Sequence, residues 1–127
     1  MKKLGFGLMR LPKINGEIDI EQVKSMADAF LSNGFTYFDT AYVYENSEVA
    51  FKEAVVKRYN RSDYYIADKL TAWKLKEGSD KEEIFKESLD RLGIEYIDYY
   101  LLHAVQEANI EIYYENDCWN FCQKRKV

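Results

Sequence analysis

A chain of 127 residues, 47% hydrophobic and 31% charged, has the material for one packed domain or a piece of one, and too much apolar content for disorder. Its net charge of -4 argues against a nucleic-acid partner, and no run of about 20 apolar residues is present to cross a membrane. Met1-Lys2-Lys3-Leu4-Gly5 leads into no long apolar stretch, so no secretory leader is expected; two cysteines are too few for a disulfide framework, which makes a reducing cytoplasm the expected home.

Leu4 to Met9 reads as a short buried strand, and Lys13 to Ile18 as a loop marked by Asn15-Gly16. Asp19 is placed to cap a helix, with Gln22 at the capping-box position. Val23, Met26, Ala27, Phe30 and Leu31 then give one apolar face at three- and four-residue steps, and Gly34 is its stop. A strand over Phe35–Asp39 turns polar at its last residue. Ser47 is placed to cap a second helix, about Glu48 to Arg58, with Phe51, Ala54 and Val55 inside. A strand over Tyr64–Asp68 runs into Lys69. Asp80 and Glu83 open a third helix, in which Ile84, Phe85, Ser88, Leu89 and Leu92 share a face, and Gly93 ends it. Tyr96–Leu102 forms a strand that runs into His103. Beyond it, Asn109 to Tyr114 gives a helical turn or two. Asp117 opens a last helix, whose Cys118 and Cys122 are read as packing residues rather than a metal or redox pair.

Strands therefore start near Leu4, Phe35, Tyr64 and Tyr96, each followed by a helix, at the spacing of about 30 residues that a βα unit occupies. Continuous apolar strands suit a parallel sheet buried on both faces. Two architectures fit this α/β pattern: a small doubly wound sheet, or four βα units forming half of a (β/α)8 barrel. Gly5-Phe6-Gly7-Leu8-Met9-Arg10 lacks the third glycine of a dinucleotide fingerprint, which counts against the first. In a barrel, polar residues at the C-terminal ends of strands line the active mouth, and Asp39, Lys69 and His103 fall there.

A free phenol, with a pKa near about 10, is a poor acid at neutral pH, and an ammonium beside it favours its ionised form. Tyr44 as proton donor, Lys69 as its tuner, Asp39 as the partner of Lys69 and His103 as the group that orients a carbonyl oxygen would together suit carbonyl reduction. Hydride would come from a nicotinamide cofactor, since no side chain can supply it. Each residue alone has a plainer role. Asp39 can cap a turn, Tyr44 is one of 11 tyrosines, Lys69 can be a solvated strand end, and a lone His is more often structural. Their coincidence at the same end of three consecutive strands raises all four together.

Four stretches carry a resemblance to a known family. They are Leu4-Gly5-Phe6-Gly7-Leu8-Met9-Arg10-Leu11-Pro12, the run Gly34-Phe35-Thr36-Tyr37-Phe38-Asp39-Thr40-Ala41-Tyr42-Val43-Tyr44, Ala67-Asp68-Lys69-Leu70, and the long run from Ser88 to His103. Together they resemble the N-terminal half of an aldo-keto reductase. The wording is most similar to a bacterial subgroup whose longer members carry a ferredoxin-like iron–sulfur extension, which is not found in these residues. The resemblance implies a (β/α)8 barrel that reduces aldehydes and ketones, small-molecule carbonyls, with NADPH. It implies a catalytic tetrad of Asp39, Tyr44, Lys69 and His103. It also implies cofactor contacts from the first strand at Gly7, Leu8, Met9 and Arg10, with Asp39.

Departures from the family bear on those expectations. A barrel of this kind takes about 250 residues, so residues 1–127 are expected to form a truncated (β/α)4 half-barrel. The later strands, which hold most of the cofactor, are absent. Position 68, Thr or a small residue in the family, is Asp68, which is expected to set a second carboxylate beside Lys69; position 45, often Gly, is Glu45. The usual N-terminal hairpin at the base is missing. Open strand edges and a bare apolar face invite pairing, so the isolated chain is expected either to pair with a second copy, completing an eight-stranded barrel, or to be poorly stable, and vigorous catalysis by the chain alone is not expected. The alternative reading is a non-catalytic remnant or self-assembling half-barrel module.

Overall fold

In a computed structural model of the chain, which describes residues 2–126, the first strand, β1 (Gly5–Gly7), is shorter than the Leu4–Met9 run predicted. Leu8 leaves the ladder and turns into the core at 2% exposure, while Leu4 and Met9 stand 53% and 62% exposed. The stretch predicted as a loop is an antiparallel hairpin, β2 (Lys13–Ile14) with β3 (Glu17–Ile18). Its turn is Asn15-Gly16, both at positive φ (51° and 82°), the geometry that a two-residue hairpin of this sequence takes.

Helix α1 (Ile20–Ser32) begins as predicted, with the Asp19 carboxylate accepting the Gln22 N–H at 3.1 Å. The reciprocal half of the capping box is not made, because the Asp19 N–H already donates to the Pro12 carbonyl. Next comes β4 (Tyr37–Asp39), then α2 (Ser47–Phe51), which runs on into a π-helical turn over Lys52–Val56. Ser47 does not cap this helix: Asn46 precedes it at φ 52°, and the Ser47 hydroxyl is bonded to Thr40 instead. Strand β5 (Tyr65–Leu70) is followed by an unpredicted short helix, α3 (Ala72–Lys76).

Helix α4 (Lys81–Leu92) starts under Asp80, which accepts the N–H groups of Glu82 and Glu83 at 2.7 and 3.3 Å. It stops at Gly93, where φ is 69°, a left-handed conformation that favours glycine; a Cβ there would also press on the movable end of the Lys52 side chain. Strand β6 (Tyr99–Leu102) starts later than Tyr96; just before it, the Asp98 N–H donates to the Ile66 carbonyl at 3.1 Å, while the Asp98 carboxylate accepts from Arg61 at 2.6 Å and from the Ile66 N–H at 2.8 Å. Two helices close the chain, α5 (Ile110–Glu115) and α6 (Cys118–Lys124). Asp117 lies at φ 52° and binds the Asn120 side chain rather than capping α6. Cys118 is buried, and among the described residues no group of three metal-ligating side chains forms.

The four longer-range strands form one parallel sheet in the order β1-β4-β5-β6, with helices between consecutive strands. Side chains alternate between its faces. Phe6, Phe38, Ile66 and Leu70 point toward the helices. There Phe38, fully buried, meets the rings of Phe6, Phe30 and Phe51 at 5.0–5.5 Å. The other face carries Tyr37, Tyr65, Tyr99 and Leu101, the last three 40–43% exposed. This open face is the inner wall of a curved half-barrel. No helix among the described residues is long and apolar enough to cross a membrane.

Candidate active site

Register brings the site together. Gly7 of β1 pairs with Asp39 of β4, and Asp39 with Ala67 of β5, two residues before Lys69. Lys69 pairs with Leu101 of β6, two residues before His103. Asp39 and Lys69 therefore leave their strands on the same face and at the same end. The Lys69 ammonium donates to Asp39 Oδ2 at 2.7 Å and to the Thr40 carbonyl at 2.5 Å. With only 14% of the Lys69 side chain exposed, these charge-assisted bonds replace most of its water. An ion pair this sheltered fixes geometry more surely than it adds stability.

Tyr44 arrives from a turn in which its N–H bonds the Ala41 carbonyl at 3.0 Å. The buried Thr40–Ser47 hydroxyl pair ties the start of that turn to α2. The Tyr44 ring lies over the Lys69 ammonium, 5.0 Å from centroid to Nζ, and meets the His103 ring edge-on at 5.8 Å. All four predicted residues thus gather at the same end of three strands.

The His103 N–H continues the ladder to the Leu70 carbonyl, at 2.8 Å. Its Nδ1 faces the Thr71 hydroxyl at 3.4 Å, and the Trp73 ring lies 5.2 Å away. Burial lowers the His103 pKa, and the Lys69 charge lowers it further against a smaller opposing effect of Asp39, so the ring is neutral at neutral pH. The phenol of Tyr113, fully buried in α5, donates to the His103 carbonyl and accepts the Ala72 N–H at 3.2 Å, which pins the ends of β5 and β6 together. Sequence reasoning missed Tyr113, Thr71 and Trp73. One tyrosine among 11 carries no signal of its own, and only the placement of Thr71 and Trp73 directly after the strand bearing Lys69 pointed toward the site.

Asp68 corrects an expectation. It does not stand beside the Lys69 ammonium but points to the helix side of the sheet, fully buried, because adjacent strand residues face opposite ways. Of the four β1-end residues predicted to face a cofactor, Gly7, Met9 and Arg10 are exposed, while the Leu8 side chain is buried in the core and offers only its backbone. A Cβ built at Gly7 would meet nothing within 4 Å, so the tip of β1 leaves open space above Asp39.

A phenol above an ammonium that is anchored by a carboxylate, facing a neutral imidazole, can hand a proton to an electron-rich oxygen and steady the phenolate left behind. The chain matches the aldo/keto reductase family over residues 3–124. It is 39% identical over 103 residues to an NAD/NADP-dependent indole-3-acetaldehyde reductase of Schizosaccharomyces pombe, covering 79% of this chain and 34% of that protein. It is 34% identical over 102 residues to the glyoxal reductase of Bacillus subtilis, covering 77% and 34%. An aldo-keto reductase from Klebsiella pneumoniae crystallised with NADPH superposes with a TM-score of 0.66 at 21% identity, over 91% of this chain and 41% of that one. The chain thus spans about a third of the length of these curated relatives and under half of that barrel.

Proposed function

The chain belongs to the aldo/keto reductase family, and from that premise we propose that its hollow serves the NADPH-dependent reduction of an aldehyde or ketone, with Tyr44 as the proton donor. The observation that carries this reading is the Lys69 ammonium, which touches the Asp39 carboxylate at 2.7 Å and lies under the Tyr44 ring. NADPH, when bound, supplies the hydride. The chain's own residues handle the proton and the oxygen. Tyr44 Oη gives its proton to the carbonyl oxygen as negative charge develops there, and the Lys69 charge lowers the energy of the phenolate that remains. Asp39 holds Lys69 in place. With the Thr71 hydroxyl donating to Nδ1, His103 presents an Nε2 proton that can hold the carbonyl oxygen in line.

The tip of β1 fits the nicotinamide end of the cofactor. Gly7 offers a flat approach with open space above it, and the exposed Met9 and Arg10 flank it. The two free thiols suit a reducing cytoplasm. The experiment is to titrate the chain with NADPH, then add a reactive aldehyde and follow loss of the reduced cofactor. Saturable binding with turnover supports the reading.

A second reading, a non-catalytic half-barrel module, is favoured by one observation. Among the described residues, the inner face of the sheet is open and its edge strands, β1 and β6, have no further strand beside them. No binding at millimolar cofactor would select it. Under either reading, we infer that the 127-residue chain pairs with a second copy through this face, since an exposed apolar wall bounded by open edges is a pairing surface. Sedimentation at micromolar concentration is expected to show a dimer; a cooperative, well-folded monomer would reject the pairing.

A further inference from the structure

Glu48 and Asp68 lie between β5 and the helices α2 and α4, across the sheet from the Lys69 ammonium, and are 2% and 0% exposed. Two adjacent carboxylates in such a layer cannot both stay ionised without a large desolvation and repulsion penalty. Their oxygens divide in a telling way. Asp68 Oδ1 accepts the backbone N–H of Lys69 at 2.7 Å, and Glu48 Oε2 faces the Arg91 guanidinium at 3.2 Å. The other two, Asp68 Oδ2 and Glu48 Oε1, are buried and receive no N–H or O–H from the described residues. Glu48 acts on Asp68 through charge and hydrogen bonding, and both favour the protonated carboxyl. One proton between them satisfies both oxygens.

We propose that Glu48 and Asp68 form a buried acid pair holding one shared proton, and that the pair positions Lys69 by fixing the carboxyl that receives its amide N–H. The proton is assigned to Asp68, because the Arg91 guanidinium faces Glu48 Oε2 at 3.2 Å and no cationic side chain faces Asp68 Oδ2 among the described residues. Burial raises the Asp68 pKa well above the usual carboxylate range, Glu48 adds to this, and Lys69 opposes it. Arg91 also holds Glu87 at 2.9 Å. From β6, Tyr100 stands opposite Asp68 in the register, with a buried phenol whose pKa is raised by burial, and from α4 Ser88 adds a buried neutral hydroxyl. The cations near this layer are Arg91, Lys69 and, beside Tyr100, Arg125 of α6; all three are already engaged, Arg125 by Glu82.

The folded chain therefore binds this proton more tightly than the unfolded chain. The pair's contribution to stability is full below the ordinary carboxyl range of about 4 and is lost as pH rises through the raised value. The proposal rests on the reading of Lys69 given above only for its functional meaning, since the proton can be read without cofactor or carbonyl. The experiment is a carbon-13 titration of the side-chain carboxyls of the whole chain, with the Lys69 amide followed in parallel.

One carboxyl is expected to titrate well above the rest, to vanish in Asp68→Asn, and to share its midpoint with a shift of the Lys69 amide. An Asn at 68 can donate to Glu48 and accept from Lys69, so the melting temperature of this variant should gain on the wild type as pH rises from about 5. Ordinary titration of every Asp and Glu, a raised carboxyl that survives the substitution, or parallel pH–melting curves would each overturn the pair. If the variant fails to fold, the wild-type titration decides alone. A raised carboxyl in a chain that binds no NADPH would support the pair and reject the reductase reading.

Discussion

Tyr44→Phe is expected to lower aldehyde reduction by about 10²–10⁴-fold, the usual contribution of a positioned proton donor, while leaving NADPH binding within a few-fold. The substitution removes one oxygen and keeps the ring that packs over Lys69 and against His103. Binding and chemistry should therefore separate cleanly. A fall in turnover with unchanged cofactor fluorescence identifies the hydroxyl as the missing part. Equal rates in the two proteins would show that some other group delivers the proton, and the role given to Lys69 would fall with it.

Phe38→Ala is expected to destabilise the chain by about 3–5 kcal/mol, the range for emptying a buried aromatic site. A domain of this size holds only about 5–15 kcal/mol in all, so a large share of the stability would go. Phe38 is fully buried, and three rings, Phe6, Phe30 and Phe51, close around it from β1, α1 and α2. Those rings are anchored on three separate elements and cannot collapse into the space together. An unfolding free energy from urea titration that fell by less than about 1 kcal/mol would show that the helix layer does not depend on this residue. The same substitution empties the floor beneath Asp39, the next residue in β4.

The sequence pattern made the β–α alternation and the four site residues legible for one physical reason. A buried parallel strand needs a continuous apolar run, and the polar residue that ends it marks the mouth. Asp39 ends such a run, and Lys69 and His103 lie at or just beyond the ends of theirs. Helix starts at Asp19 and Asp80 were legible because a carboxylate one turn before an apolar face has a specific partner in the backbone. Ser47 and Asp117 carried the same local signal, but tertiary contacts used them otherwise, Ser47 by bonding Thr40 and Asp117 by bonding Asn120. The Lys13–Ile18 hairpin was missed because Asn15-Gly16 marks a turn whether or not its flanks pair. Short α3 escaped because five residues give too little periodicity to read. The buried acid pair was out of reach, since Glu48 and Asp68 are 20 residues apart and meet only when α2 packs on the sheet.

If the site works as proposed, hydride and a proton pass onto a carbonyl in one turnover. The most direct measurement is the reaction run with NADPH carrying deuterium at the transferable position, followed by the mass of the alcohol formed. The wild-type chain is expected to yield alcohol bearing one deuterium on the former carbonyl carbon, and Tyr44→Phe almost none. Alcohol at the level of the protein-free blank from the wild-type chain, despite saturating cofactor, would contradict the proposed reaction.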